Sequence, residues 1–181
     1  MTGKPGGSPR PSPPGQGREA TIEVEVRLTD ARADRYERIY TQLRGLIEGQ
    51  SPSLTAAMAT ICAVLHAKMS HHFWTGFYLV AGEGELHVGP YQGSVACQVL
   101  KEDGVCIQCL RTQRPEIVAD VERFPGHVAC DARSKSEIVL PVMKGDHVVA
   151  VLDVDSDRLA QFGEADIAPL EKILKLLDPY L

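Results

Sequence analysis

No stretch of the 181-residue sequence approaches the roughly 20 consecutive apolar residues that a membrane-spanning helix needs, so a membrane protein is not expected. The opening MTGKPGGSPRPSPPGQGREA lacks the apolar core of a secretory leader, which makes the cytoplasm the expected location. Basic residues are not in excess: 19 Lys and Arg stand against 24 Asp and Glu, for a formal net charge of −5. A nucleic-acid backbone is normally met by clustered Lys and Arg, and no nucleic-acid partner is expected. Nor is there an even set of cysteines. Cys62, Cys97, Cys106, Cys109 and Cys130 make five, which argues against a disulfide framework and leaves reactive thiols, metal ligands or packing. A second close-spaced cysteine pair is missing too. Cys106-x-x-Cys109 is half of a zinc pattern that Cys97 and Cys130 would have to complete, and structural zinc sites usually pair two such knuckles. Neither a metal nor a cofactor is expected.

What is present is the composition of one ordinary folded domain, 44% hydrophobic and 24% charged. Residues 1–20 are too rich in Pro and Gly to bury a core and read as a disordered tail, leaving 21–181 as a single domain. TIEVEVRL (21–28) alternates like a strand. Tyr36, Ile39, Tyr40, Leu43 and Leu46 then recur at helical spacing up to Gly49, and LTAAMATICAVLHAKM (54–69) predicts a second, more buried helix around Cys62. From residue 73 the pattern turns to strands: FWTGFYLV, GELHVGPY, VACQVL, EIVLPVMK and HVVAVLDVD, the last two joined by a KGD hairpin. VCIQCLRTQR suits a short helix and PEIVAD a short strand. VERFPGHVACDARSKS has no regular period, and GEADIAPLEKILKLL predicts a closing helix with Pro169 near its first turn. The order predicts an α+β domain, a mostly antiparallel sheet with helices packed over it.

The chemistry gathers on thiols and acids. Cys130 sits in the irregular loop beside His127, which would favour a thiolate, and Asp131, which would oppose it. An inert buried thiol and a nucleophile fit it equally well. Cys97, in a strand-like run, reads first as core. Cys106 opens a helix whose free N–H groups would lower a thiol pKa, while Cys109 and Cys62 read as packing. Asp153 and Asp155 bracket Val154 and share a strand face, and Glu137 begins the neighbouring strand. Such a trio repels unless it shares a proton or binds a cation or polar donor. Trp74 and Tyr78 share another strand face, as core or as the apolar wall of a pocket.

In this order WTGFYL, GPYQGSVACQVL, GVC, PEIVADVERFPGHVACDARSKSEIVLPV and VVAVLDVDSD resemble the free methionine-(R)-sulfoxide reductases, a family built on the GAF fold. The resemblance runs from about residue 34 to the C-terminus. It implies a six-stranded antiparallel sheet with helices on its faces and a closed pocket that takes free methionine-(R)-sulfoxide. It assigns Cys130 as catalytic thiol, Cys97 as resolving thiol and Cys106 as a third, alternative resolving or relay thiol. Trp74 and Tyr78 would line the methyl pocket, and Glu137, Asp153 and Asp155 would hold the sulfoxide and the amine. Cys130 would attack sulfur and become a sulfenic acid, Cys97 would condense with it, and a thioredoxin-like dithiol would reduce the disulfide. The resemblance leaves a homodimer open. GVC continues here as Ile-Gln-Cys rather than in the small residues usual for the family, which adds Cys109. The competing expectation is a GAF sensor that holds a small ligand in the same pocket without chemistry.

Overall fold

Each strand of the sheet buries alternate residues on opposite faces, and the two resulting faces have different chemistry. The computed structural model describes residues 16–126 and 130–181, and of residues 16–29 only the backbone. Its elements are α1 (Gln16–Ile47), α2 (Leu54–Lys68), β1 (Trp74–Gly82), β2 (Glu85–Gln92), β3 (Val99–Lys101), α3 (Val105–Thr112), β4 (Glu116–Val118), β5 (Ser136–Lys144), β6 (His147–Ser156) and α4 (Glu164–Leu174). The six strands form one sheet in the order β3-β2-β1-β6-β5-β4, and every neighbouring pair is antiparallel. This is the α+β architecture expected, with the β5–β6 hairpin turning at Gly145, whose φ of +59° suits glycine. Residues 33–181 form one compact unit and residues up to 32 another.

One face of the sheet is mainly apolar, with Thr75, Ser136 and Ser156 at its margin. Phe77 from β1, Ile138, Leu140 and Val142 from β5, and Ala150, Leu152 and Val154 from β6 pack against Tyr36, Ile39, Leu43 and Ile47 of α1, against α2, and against Leu170 and Ile173 of α4. Ser53 starts α2 by accepting a hydrogen bond from the Ala56 N–H at 3.3 Å, as an N-cap serine should. The opposite face carries Trp74, Tyr78, Val139 and Val151 under α3, which contributes Val105, Cys106, Ile107 and Cys109.

Three expectations are corrected. TIEVEVRL is not a strand but part of α1. The same letters place Ile22 with Val26 and Val24 with Leu28 at i,i+4, so a short alternating run satisfies either period, and continuity with the helix that follows decides. VACQVL forms a strand only over Val99–Lys101, because β2 pairs no further than Glu85–His87, and Cys97 therefore lies in an irregular approach to the sheet edge. The closing helix ends at Leu174 and tightens into a 3-10 segment, Lys175–Tyr180, which contains Pro179. The tail expectation falls mostly on residues 1–15, which lie outside the described residues, as does His127. Among the described residues no helix is long and apolar enough to cross a membrane.

Candidate active site

Register brings the singled-out residues together. Residues directly opposite on antiparallel strands share a face, and Trp74 stands opposite Asp155, Gly76 opposite Asp153 and Tyr78 opposite Val151. On the other side of β6, Glu137 stands opposite Asp155 and Val139 opposite Asp153. The three acids therefore share the α3 face with both aromatics, across three adjacent strands. Together with Cys106, Cys130, Asp131 and Ser134 they line a cavity of about 70 Å³. At about 10–15 Å³ per water, that is room for a few water-sized groups, the scale of a small polar ligand.

The aromatic wall depends on residues that have almost no side chain. The Trp74 ring stacks on Tyr91 at 5.5 Å and on Tyr78 at 5.8 Å between centroids. It lies over Gly76, where an added Cβ would run into the indole and stand 2.6 Å from Tyr91 Cβ. Gly93, at φ +124°, leaves the other approach open: a Cβ there would stand 2.7 Å from the indole. From the wall a hydrogen-bonded chain leads to the loop that carries Cys130. Trp74 Nε1 donates to the Ser94 carbonyl at 3.3 Å, and Ser94 Oγ donates to Asp131 Oδ2 at 2.6 Å. Arg133 holds both oxygens of the same carboxylate, at 3.0 and 2.7 Å, while its guanidinium sits 4.5 Å above the Phe73 ring. These bonds, led by that of Arg133, hold Asp131 well below the usual carboxylate range. The charge beside Cys130 is thus an ionised, neutralised pair rather than a bare anion.

The acid cluster is electrostatically loaded. Glu137 and Asp153 are each 7% exposed, and oxygens of the three carboxyls lie within 4.8 Å of one another. Burial first, then the neighbouring acids, pushes Glu137 and Asp153 well above their ordinary values. Asp155 is pushed up to about 6, again mainly by burial, and is relieved by hydrogen bonds from Ser134 and Glu137. Glu137 is the proton holder of that pair, donating to Asp155. Asp153 accepts from the Cys106 thiol, while its Oδ1 is buried without a hydrogen-bond partner. Burial thus favours the protonated forms of Glu137 and Asp153, and Asp155, pushed up to about 6, is left to carry the negative charge at neutral pH.

The cysteines divide into a bonded pair and three buried thiols. Cys97 and Cys130 form a disulfide with Cα atoms 5.4 Å apart, which removes both from the four-cysteine zinc arrangement. Cys62, Cys106 and Cys109 are free and buried. The expectation of an activated thiol at Cys106 is corrected. It does open α3, but burial and then Asp153, Glu137 and Asp155 push it far above its ordinary value, outweighing the helix terminus. Cys109 is pushed up by burial as well and packs beside Ile107.

A GAF domain family model matches residues 51–177. The GAF domain-containing protein A of Dictyostelium discoideum is 45% identical over 149 residues, covering 82% of this chain and 93% of that protein. The free methionine-R-sulfoxide reductase of Saccharomyces cerevisiae is 36% identical over 149 residues, 78% of this chain and 83% of that protein. The chain belongs to the free methionine-R-sulfoxide reductase family. Its fold agrees with the reductase of Neisseria meningitidis solved in complex with its substrate, at a TM-score of 0.76 and 35% identity over 80% of this chain and 87% of that one. In α3 Ile107, Gln108 and Cys109 follow Cys106; Ile107 and Cys109 are fully buried, and the start of the helix lines the cavity. Of the residues that the resemblance assigned to the site, all line the cavity except Cys97, which reaches it through its bond to Cys130. Sequence reasoning missed Ser94, Arg133 and Ser134, whose roles depend on contacts across the fold. Gly76 and Gly93 stood inside quoted motifs, and a glycine between two aromatics on one strand face was the signal for the first of them.

Proposed function

We propose that this chain reduces the R-sulfoxide of free methionine to methionine, with Cys130 as nucleophile and Cys97 as resolving thiol. The observation that carries the reading is the Cys97–Cys130 disulfide on the wall of a cavity floored by three carboxyls and walled by stacked aromatics. In the reduced enzyme the Cys130 thiolate attacks the sulfoxide sulfur while protonated Glu137, whose buried carboxyl retains its proton, gives it to the departing oxygen. The sulfur–sulfur bond then breaks as the protonated oxygen passes from the substrate sulfur to Cys130, which becomes a sulfenic acid, and the electron pair stays on the sulfur of the released methionine. Cys97 then displaces water from Cys130, and the disulfide forms.

Recognition of the whole amino acid follows from charge. Among the described residues five acids and no base line the cavity, so the substrate ammonium pairs with ionised Asp155 and Asp153 Oδ1 accepts a hydrogen bond. The substrate carboxylate is left to the N-terminus of α3, where Gly104 caps without a side chain and residues 104–107 face the cavity. A methionine inside a polypeptide lacks both charges, which supports selectivity for the free amino acid. The methyl group packs on Trp74 and Tyr78. Cys106, held as a thiol, donates to Asp153 and positions it rather than resolving the sulfenic acid. A thioredoxin-type dithiol in the cytosol closes the cycle.

The test is intact-mass measurement on the reduced protein after one equivalent of each sulfoxide epimer. The R-epimer should remove two hydrogens from the protein and yield methionine, and the S-epimer should leave the mass unchanged. An unchanged mass with the R-epimer would overturn the reading in favour of a binding module.

A further inference from the structure

The two sulfurs of the disulfide face different surroundings. Cys130 lines the acid-floored cavity, whereas Cys97 does not and lines an outer depression with Val99, Leu100, Lys101 and Asp103. Leu100 and Asp103 border both spaces and form the wall between them. The outer side is open: Val99 is 44% exposed, and β3, which follows Cys97, is an edge strand paired only with β2. Charge divides the same way. An anionic thiolate entering by the cavity meets ionised Asp155 with no cation beside it among the described residues that line the cavity, while one approaching from outside meets Lys101, which Glu85 holds at 2.8 Å. Asp103 is common to both routes and does not discriminate.

We propose that the external dithiol attacks Cys97 Sγ from the outer depression and that Cys130 Sγ is the leaving group. The reductant thiolate forms a new sulfur–sulfur bond to Cys97 as the Cys97–Cys130 bond breaks, and the bonding pair stays on Cys130 as thiolate. The second thiol of the reductant, once deprotonated, attacks its own partner sulfur in the mixed disulfide and releases Cys97 as thiolate. The reductant is oxidised to its internal disulfide, and both cysteines of this chain are reduced. The departing Cys130 sulfur meets Glu137 and Asp153, which burial keeps protonated, so the cavity receives the thiolate without two further anions beside it. Reductant and substrate thus use opposite sides of one wall, and Cys130 is returned to the side where it is next needed.

The inference rests on the proposed Cys130/Cys97 cycle for its biological setting, but its test does not. The full chain is oxidised with diamide, and the Cys97–Cys130 bond is verified by peptide mapping. It is then mixed with a thioredoxin-type protein whose second active-site cysteine is replaced by serine and, separately, with glutathione. After acid quenching and maleimide labelling, the adduct should lie on Cys97 by on the order of tenfold over Cys130, with the label on Cys130. An adduct on Cys130, an even split, or no adduct with either thiol overturns the proposal. As a second measurement, Lys101→Glu should slow attack by glutathione several-fold and leave single-turnover sulfoxide reduction unchanged. An unchanged glutathione rate also overturns it. A chain that failed to reduce methionine sulfoxide would still report which sulfur is attacked, so the two readings fail separately.

Discussion

Replacing Asp155 by Asn should make the protein more stable and less active, and the size of the gain depends on pH. The carboxyl is raised from 3.8 to about 6, mainly by burial. The sign follows from where the proton sits. Below about pH 4 the group is protonated both folded and unfolded and costs nothing. Between pH 4 and 6 it ionises first in the unfolded chain, so stability falls as pH rises, and above 6 the folded state bears the full penalty. A rise of that size corresponds to at most about 3 kcal/mol, since Asp155 keeps some contact with water. The amide can still accept from Glu137 and Ser134, so the hydrogen bonds survive and the charge does not. At about 2–4 °C per kcal/mol for a chain of this size, Tm at pH 8 should rise by about 5–10 °C, with nearly equal Tm values at pH 4. The assay is thermal unfolding from pH 4 to 8 with the disulfide oxidised in both proteins, beside kcat/KM for the free sulfoxide, which should fall as the ammonium loses its partner. A wild-type Tm that does not decline between pH 4 and 7, together with no gain for the Asn variant at pH 8, would refute the electrostatic account of the cluster.

Other substitutions separate roles that the cavity combines. Cys130→Ser should abolish sulfoxide reduction, whereas Cys97→Ser should permit one turnover and leave a sulfenic acid on Cys130 that dimedone captures; turnover by Cys130→Ser would remove it as nucleophile. Gly76→Ala places a methyl against the Trp74 indole and 2.6 Å from Tyr91 Cβ, so it should cost about 1–3 kcal/mol of stability and raise KM through displacement of Trp74, with urea unfolding and kinetics as the two readouts. Cys106→Ser keeps a donor for Asp153 and should retain most activity, while Cys106→Ala should lose about tenfold in kcat/KM, for one hydrogen bond of roughly 1.4 kcal/mol. Both variants should still form the Cys97–Cys130 disulfide under peptide mapping, and its loss would instead mark Cys106 as a relay thiol.

The sheet and the shared face of its acids were legible because a strand has one period. Val154 between Asp153 and Asp155, and three residues between Trp74 and Tyr78, fix which side chains point together, whatever the pairing. The KGD hairpin made the strand of Glu137 a legible neighbour of the strand of Asp153 and Asp155, but that β1 lies on the other side of β6 was not legible, and the meeting of Trp74 with Asp155 rested on resemblance. Local chemistry misled at Cys106, where the helix terminus was visible in the text and the buried carboxyls from two other strands were not. The same holds in reverse for Asp131. Next to Cys130 in sequence it reads as an opposing charge, but Arg133 and Ser94, two residues and 37 residues away, neutralise it.

The two faces of the sheet explain how so costly a cluster persists. Three carboxyls crowded within 4.8 Å, two of them almost fully buried, weaken the folded state at neutral pH. Opposite them, Ile138, Leu140, Leu152 and Val154 occupy the alternate positions of the same strands and are fully buried against α1, α2 and α4. Each such side chain contributes about 1.5–3 kcal/mol on burial, so a few residues of the apolar face offset the penalty of the acid face. Because alternation places the two sets on the same backbone, the apolar core also fixes the spacing of the carboxyls. Truncating Leu152 should therefore loosen Asp153 beside it, lowering stability and, through Asp153, the affinity for substrate. A surface change of equal ΔΔG on α4 should lower stability alone, so a Leu152→Ala variant with unaltered KM would show that the two faces are mechanically independent.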